Sequence, residues 1–422
     1  MWAGSHVATG GMIAAMTTPW PDLPTHREWL HEQARSLLTF GRRTPSADGG
    51  AYWLDDHGNP LPQNGIHTWI TARTVHVYSL GHLMGLPGCT PIAQAALDGL
   101  TGRLHDSEYG GWLASVGQHD ADGTKAAYAH AFVLLAASSG VTAGLSGAEA
   151  LLADAQDVLL ERFWDEEAGL AVDEWDRTFS TLDPYRGINA NMHLVEACLA
   201  AADVTGDRSW LERASRISQF VVTQAEGNGW RIPEHFDADW QPQLELNRDK
   251  PGDQFKPYGA TVGHGLEWSR LLIHLDAALG IDRDTDWVTP AKALFDRAVT
   301  DGWAADGADG FVYTTDWSGR PVVRERMHWV VAEALGAAVT LWHRTGDPAY
   351  ADRYAQWWDY TQRYVIDHEN GSWHHELDAA NQPAATVWAG KPDLYHAFQA
   401  TLLPLLPLTP SFATAIAQGH LA

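Results

Sequence analysis

The chain has 422 residues, 45% of them apolar, and a formal net charge of −25, so it can bury a large core but repels nucleic acid and acidic membrane surfaces. Two cysteines, Cys89 and Cys198, lack metal-ligand spacing and suit a reducing, cytoplasmic compartment; no apolar run reaches the ~20 residues of a membrane span. What remains is an enzyme acting on a small neutral substrate, as a monomer or homodimer.

Residues 1–15 lack the basic and apolar regions of a signal peptide, so 1–19 reads as a mobile extension, with Met16 a candidate start. Beyond it one unit recurs: a glycine turn, a short extended segment, a second turn and two helices. The extended segments begin at G-G-A-Y-W-L (49–54), G-G-W-L-A-S-V (110–116), G-L-A-V-D-E-W (169–175), G-W-R-I-P-E-H-F (229–236), G-F-V-Y-T-T (310–315) and G-S-W-H-H-E-L (371–377). The glycines at 49, 110, 169, 229, 310 and 371 are 61, 59, 60, 81 and 61 residues apart, a period that signals one supersecondary unit repeated six times. The long step holds a loop over 244–257.

In chain order, amphipathic helices are expected over about 25–41, 91–104, 147–163, 207–224, 287–301 and 347–366, with charge on one face. Between them fall nearly apolar helices over about 67–84, 126–139, 188–203, 264–280, 327–344 and 393–406. The phrases T-G-D-R-S-W-L-E-R and T-G-D-P-A-Y-A-D-R make Asp207 and Asp347 helix caps. Twelve helices alternating outer and inner close into an all-α (α/α)6 barrel, a twelve-helix toroid with short β-hairpins at one mouth. It occupies 20–408 as a single catalytic domain, followed by a tail over 409–422.

Parallel inner helices gather their N-termini at that mouth, and polar residues cluster there: Arg73 and His76, Tyr128 and His130, Asn189, Asn191 and His193, His264 and Glu267, His328, Trp329 and Glu333, Tyr395 and His396. The most informative stretch is K-P-Y-G-A-T-V-G-H-G-L-E-W-S-R (256–270). Gly263 is the expected N-cap, which puts His264 in the first turn, where the helix dipole disfavours a cation and keeps the imidazole basic. Glu267 follows on the same face, with the Trp268 indole one step round. A neutral imidazole beside a carboxylate suits proton abstraction next to a carbonyl. His396, just after K-P-D, also begins a helix, which Asp393 is placed to cap. The inner helices hold no H-x-x-x-H or H-E-x-x-H, and His374 and His375 diverge on a strand, so no metal is expected; phosphate cradles, dinucleotide fingerprints and nucleophile elbows are missing too.

The motifs W-I-T-A-R-T-V-H-V-Y-S-L, Y-A-H-A-F, N-A-N-M-H-L-V-E-A, K-P-Y-G-A-T-V-G-H-G-L-E-W, H-W-V-V-A-E-A and W-A-G-K-P-D-L-Y-H make the chain similar to the N-acylglucosamine 2-epimerase superfamily, nearest its mannose isomerase branch, over nearly all of 20–408. The resemblance implies an (α/α)6 barrel that moves protons on an open-chain sugar without metal or cofactor. It implies His264 and His396 as acid/base pair, Arg73 and His193 on substrate oxygens, Glu267 and Glu333 orienting histidines or binding hydroxyls, and Trp329 and Trp388 as walls. Tyr128 and Asn189 complete the expected sugar contacts. Val262 replaces a proline common in the family, and Lys256 an arginine. The implied reaction is aldose–ketose isomerisation between D-mannose and D-fructose, with 2-epimerisation as the alternative on the same scaffold. A glycoside hydrolase would need two carboxylates flanking a bond, drawn from Glu174, Asp183, Glu234 and Glu333, and the histidine-rich mouth fits that poorly. A sugar-binding protein would need the tryptophans and Arg73 but not both histidines.

Overall fold

The alternation of amphipathic and apolar segments becomes two concentric rings in the computed structural model, which describes residues 18–280 and 285–421. In chain order the helices are α1 (Pro24–Phe40), α2 (Thr68–Leu83), α3 (Cys89–Thr101), α4 (Ala127–Thr142), α5 (Ala148–Val158), α6 (Ile188–Thr205), α7 (Ser209–Gly227), α8 (Val262–Leu279), α9 (Val288–Gly302), α10 (His328–Thr345), α11 (Pro348–Tyr360), α12 (Tyr395–Leu402) and α13 (Phe412–Ala417). The even-numbered helices form the inner ring: each packs on the next, and α12 closes onto α2. They are buried almost all round; in α2 every residue from Thr68 to Gly81 is buried. The odd-numbered helices up to α11 lie outside with a single apolar stripe. In α7 that stripe is Trp210, Leu211, Ala214, Ile217, Val221 and Ala225, the three-and-four spacing of one helical face.

Gly263 is not the cap the sequence suggested. Thr261 is the N-cap of α8, because the strand Ala260–Thr261 runs straight into the helix. Gly263 serves packing instead: a Cβ there would lie 2.2 Å from the Trp329 ring, so only glycine lets that indole lie on α8. Asp347 caps α11 as expected, accepting from the Ala349 amide, and Asp207 accepts from the Ser209 amide at the start of α7.

The hairpins follow one rule. The two residues before an inner helix pair antiparallel with the hairpin that comes after the next outer helix: Ile66–His67 with Ser115–Val116, Lys125–Ala126 with Glu174–Trp175, Arg186–Gly187 with His235–Phe236, Ala260–Thr261 with Thr314–Thr315, and Arg326–Met327 with Glu376–Leu377. In each pair the residue ahead of the second strand offers its carbonyl to the first amide of the inner helix. Ala114, Asp173, Glu234, Tyr313 and His375 thus accept from Thr68, Ala127, Ile188, Val262 and His328, supplying a partner for an amide that a helix start leaves unpaired. At the seam, the Lys391 amide reaches back to the Leu54 carbonyl of the first hairpin. In three units a buried cation ahead of an inner helix clasps the preceding turn: Lys125 on Asp106, Arg326 on Asp306 and Lys391 on Asp367.

Residues 1–17 of the expected extension lie outside the described residues. The expected tail is partly structured: α13 packs on α2, α4 and α6 at the end of the barrel opposite the hairpins. Among the described residues no helix is long and apolar enough to cross a membrane.

Candidate active site

At the hairpin end the inner ring opens into a cleft of about 630 Å³. Its walls include Arg73, Tyr128, Asn189, His193, His264, Glu267, Trp329, Trp388 and His396, which is every residue expected at the site except Glu333. His328, His375, Tyr313, Asp393 and the loop residues Gln254 and Phe255 also line it.

His264 and His396 both pack against Trp329, with ring centroids 5.2 and 5.8 Å from the indole. His396 donates from Nδ1 to Glu333 Oε1 at 2.9 Å, which fixes the tautomer and leaves Nε2 with a free lone pair. Glu333 Oε2 in turn accepts from Arg270 Nε at 2.8 Å, so Glu333 works behind the imidazole rather than on its face. Burial, reinforced by the Arg73 guanidinium and then His328, holds His396 well below the usual imidazole range, so it is neutral at pH 7. His264 Nδ1 lies 2.9 Å from Glu234 Oε2, at ion-pair distance but without hydrogen-bond alignment. The two imidazoles therefore have one carboxylate each, and differ in how firmly it holds them.

Arg73 is buried and anchored twice, donating to Asp393 Oδ2 at 3.1 Å and to the Tyr128 hydroxyl at 2.9 Å. Its guanidinium lies over Phe132 and Tyr395, 4.3 and 4.6 Å from the ring centroids. Burial alone would raise Asp393, but the neighbouring guanidinium overrides it and keeps the carboxylate ionised. Asp393 also accepts from the Tyr395 amide, so although Leu394 is the N-cap, Asp393 both takes the first amide of α12 and holds Arg73. Tyr128 is pushed up to about 12 by burial and keeps its proton.

Glu267 is 1% exposed, and neither carboxyl oxygen has a hydrogen-bond partner. Its carboxyl oxygen Oε1 lies 3.6 Å from Arg270 Nη2 and 3.7 Å from His193 Nδ1. Burial, and then the charge of Glu333, push it well above the carboxylate range. The shift favours the protonated acid, a form able to donate as well as accept. His193 is driven well below the usual range by burial, then by Arg73. His328 falls to about 4 through burial and stacks on His375, ring centroids 3.7 Å apart.

Several expectations need correcting. The Trp268 indole is buried away from the cleft; Trp329 fills the place beside His264. Glu267 is not the partner of His264, since Glu234 takes that position from just ahead of a strand. His130 is structural, accepting from the Trp112 amide, and His76 bonds Ser139 and lines an apolar cavity at the far end. Four of the six inner helices, α6, α8, α10 and α12, therefore bring a histidine to the cleft. Glu234, Arg270, Tyr313 and His375 were not singled out as site residues. For Glu234, Tyr313 and His375 a signal existed: they occupy the same slot in the repeated hairpin. Arg270 carries none, being one cation in a buried helix.

Among the described residues two groups bring possible metal ligands within 4.8 Å of one another, His193 with Glu196 and Glu267, and Glu267 with Glu333 and His396. The guanidinium of Arg270 already bonds Glu333 and faces Glu267, so the charge a cation would neutralise is matched by arginine.

The N-acylglucosamine 2-epimerase family model matches residues 49–400. A D-mannose isomerase of Thermobifida fusca is 50% identical over 404 residues, covering 95% of this chain and 99% of the relative. One from Pseudomonas cannabina pv. alisalensis is 45% identical over 402 residues, with 94% and 97% covered. Among solved structures, a D-mannose isomerase superposes with a TM-score of 0.83 at 29% identity, covering 91% of this chain and 99% of that one. The cellobiose 2-epimerase of Spirochaeta thermophila shares the fold, with a TM-score of 0.79 at 22% identity over 91% and 96%.

Proposed function

The chain belongs to the N-acylglucosamine 2-epimerase family, and on that premise we propose that it is an aldose–ketose isomerase interconverting D-mannose and D-fructose. The observation that carries this reading is the pair of imidazoles, His264 and His396, packed against one indole in a cleft that also holds a buried arginine. The D-mannose isomerases of similar sequence name the sugar.

In this mechanism the open-chain aldose lies with C1 and C2 between the two rings. A neutral imidazole removes the C2 proton; the C–H electrons form the C1=C2 bond, and O1 takes up the negative charge. The same imidazolium returns the proton to C1 while the O2 proton departs and O1 is protonated, giving the 2-ketose. The second imidazole moves the proton between the oxygens. Proton transfer by a positioned base contributes roughly 10²–10⁴-fold, and the neutral His396 is suited to it. Arg73 and His193 donate to the enediolate oxygens, where preorganised donors act most strongly in a dry site. Trp329 and Trp388 cover the C–H faces of the sugar. All these groups belong to the chain itself, so the mechanism needs neither metal nor cofactor.

A 2-epimerase is the second reading, because two imidazoles in one cleft could also serve opposite faces of C2. The test is incubation with mannose, fructose, glucose, lyxose and cellobiose in D₂O, followed by chromatography and NMR. An isomerase yields fructose from mannose with deuterium at C1. Glucose from mannose with deuterium at C2, and no ketose, would replace the proposal with the epimerase.

A further inference from the structure

Along the strand Glu376–Leu377 successive side chains point to opposite sides. His375, just ahead of it, lines the cleft, and Glu376 faces the loop that crosses the mouth. That loop, 384–392, has no helix or strand of its own, yet it carries Trp388. Three consecutive amides in it, those of Thr386, Val387 and Trp388, are taken by one side chain. Glu376 Oε1 accepts from the Thr386 amide at 2.8 Å and from the Thr386 hydroxyl. Glu376 Oε2 accepts from the Val387 and Trp388 amides at 2.8 and 2.7 Å. The carboxylate is 1% exposed, so water does not compete for it. One anion thus takes four donors, which a neutral amide, with a single acceptor oxygen and two N–H groups, cannot do.

Two units back, a different residue does a similar job. His235, which follows Glu234 as Glu376 follows His375, bonds the Pro257 carbonyl and holds the other loop over the mouth. The two loops then meet: Phe255 packs edge-on against Trp388 at 5.5 Å, and Gln254 reaches the Val387 carbonyl. Trp388 also rests on Trp53 and Trp69, which leaves the indole face set by where its backbone is pinned.

We propose that Glu376 is the positioning residue for Trp388: by gathering the 386–388 amides it holds the indole over the sugar and sets sugar affinity, without taking part in proton transfer. The proposal rests on the sugar-isomerase reading for its kinetic consequence, but not for its structural one.

The experiment combines steady-state kinetics on mannose with amide hydrogen exchange, for Glu376→Gln, Trp388→Ala and the double variant. Glu376→Gln is expected to raise KM about tenfold with kcat changed less than about threefold, since it loses hydrogen bonds to a charged acceptor away from the reacting carbons. In the Trp388→Ala background the same substitution should have no further effect on KM. Exchange at 386–388 should speed up while the inner helices stay protected. An unchanged KM, effects that multiply in the double variant, or unchanged exchange would each overturn the proposal. If Glu376→Gln does not fold, Thr386→Val removes one donor only and should raise KM about threefold with the same dependence on Trp388; no change would count against the idea. Should wild type turn over no sugar, the isomerase reading fails, while the exchange measurement still decides whether Glu376 holds the loop.

Discussion

Glu333→Gln puts the buried charge cluster to its hardest test. Glu333 bonds His396 through one oxygen and Arg270 through the other, so the amide removes one negative charge between two groups that depend on it. For catalysis, a charge-assisted hydrogen bond to His396 becomes a neutral one, a loss of about 1.5 kcal/mol or roughly tenfold in kcat. For stability, stranding a buried arginine costs about 3–5 kcal/mol. Glu267 should absorb most of that. It stands 3.6 Å from Arg270, and after burial it is the charge of Glu333 that keeps it protonated. With Glu333 neutral, Glu267 ionises and replaces the lost anion, so the variant should lose only about 1–2 kcal/mol at pH 7. Glu267→Gln alone replaces a neutral acid with an amide and should cost about 1 kcal/mol or less, whereas the double variant should lose the full buried-pair cost.

Urea unfolding of the four proteins gives the coupling energy, and repeating it from pH 5 to 8 gives its origin. In wild type Glu267 binds its proton in the folded state and releases it when unfolded, so stability falls as pH rises above the ordinary carboxylate range and until the raised folded value is passed. Glu333→Gln should flatten that slope. Additive losses in the double variant, together with an unchanged slope, would refute the charge exchange.

His264→Asn and His396→Asn should each lower kcat by about 10²–10⁴-fold in mannose turnover while leaving the folded circular-dichroism spectrum intact; near-normal turnover would remove that residue from the chemistry. The acid limb of kcat/KM assigned to His396 should lie below pH 6.5, because burial and Arg73 favour the neutral base; activity is then flat above pH 6.5 and lost only as pH falls through the lowered value. A limb that shifts with His396→Asn but sits above pH 7 would contradict this. Turnover should survive dialysis against EDTA, and loss restored by one divalent ion would show that a metal is required.

The twelve-helix ring was legible because its signals are periodic: a glycine turn near every sixtieth residue, and helices alternating between all-apolar and one-sided. The lining of the cleft was legible because inner-helix N-termini converge. What sequence adjacency could not supply was pairing between neighbours of the cleft. Glu267, three residues beyond His264, looked like its partner, yet its side chain lies a turn deeper, among Arg270 and His193. Glu234 reaches His264 because its hairpin pairs with the strand before α6, which brings a residue thirty positions upstream to the start of α8. Trp268 failed for a similar reason. One step round the helix turns it into the wall of the barrel, and Gly263 leaves the vacant surface to an indole from α10.

The carbonyls of Ala114, Asp173, Glu234, Tyr313 and His375 all do one job, tying a hairpin to the first amide of an inner helix. That job belongs to the main chain, so it is indifferent to the side chain attached. Five rim positions are therefore structurally interchangeable sockets, fixed in place whether they present a methyl group, a carboxylate, a phenol or an imidazole. Chemistry at the mouth can change there one residue at a time, with each new side chain delivered to the same place and the ring's own hydrogen bonds left untouched. The scaffold keeps architecture and reactivity in separate parts of the same residue.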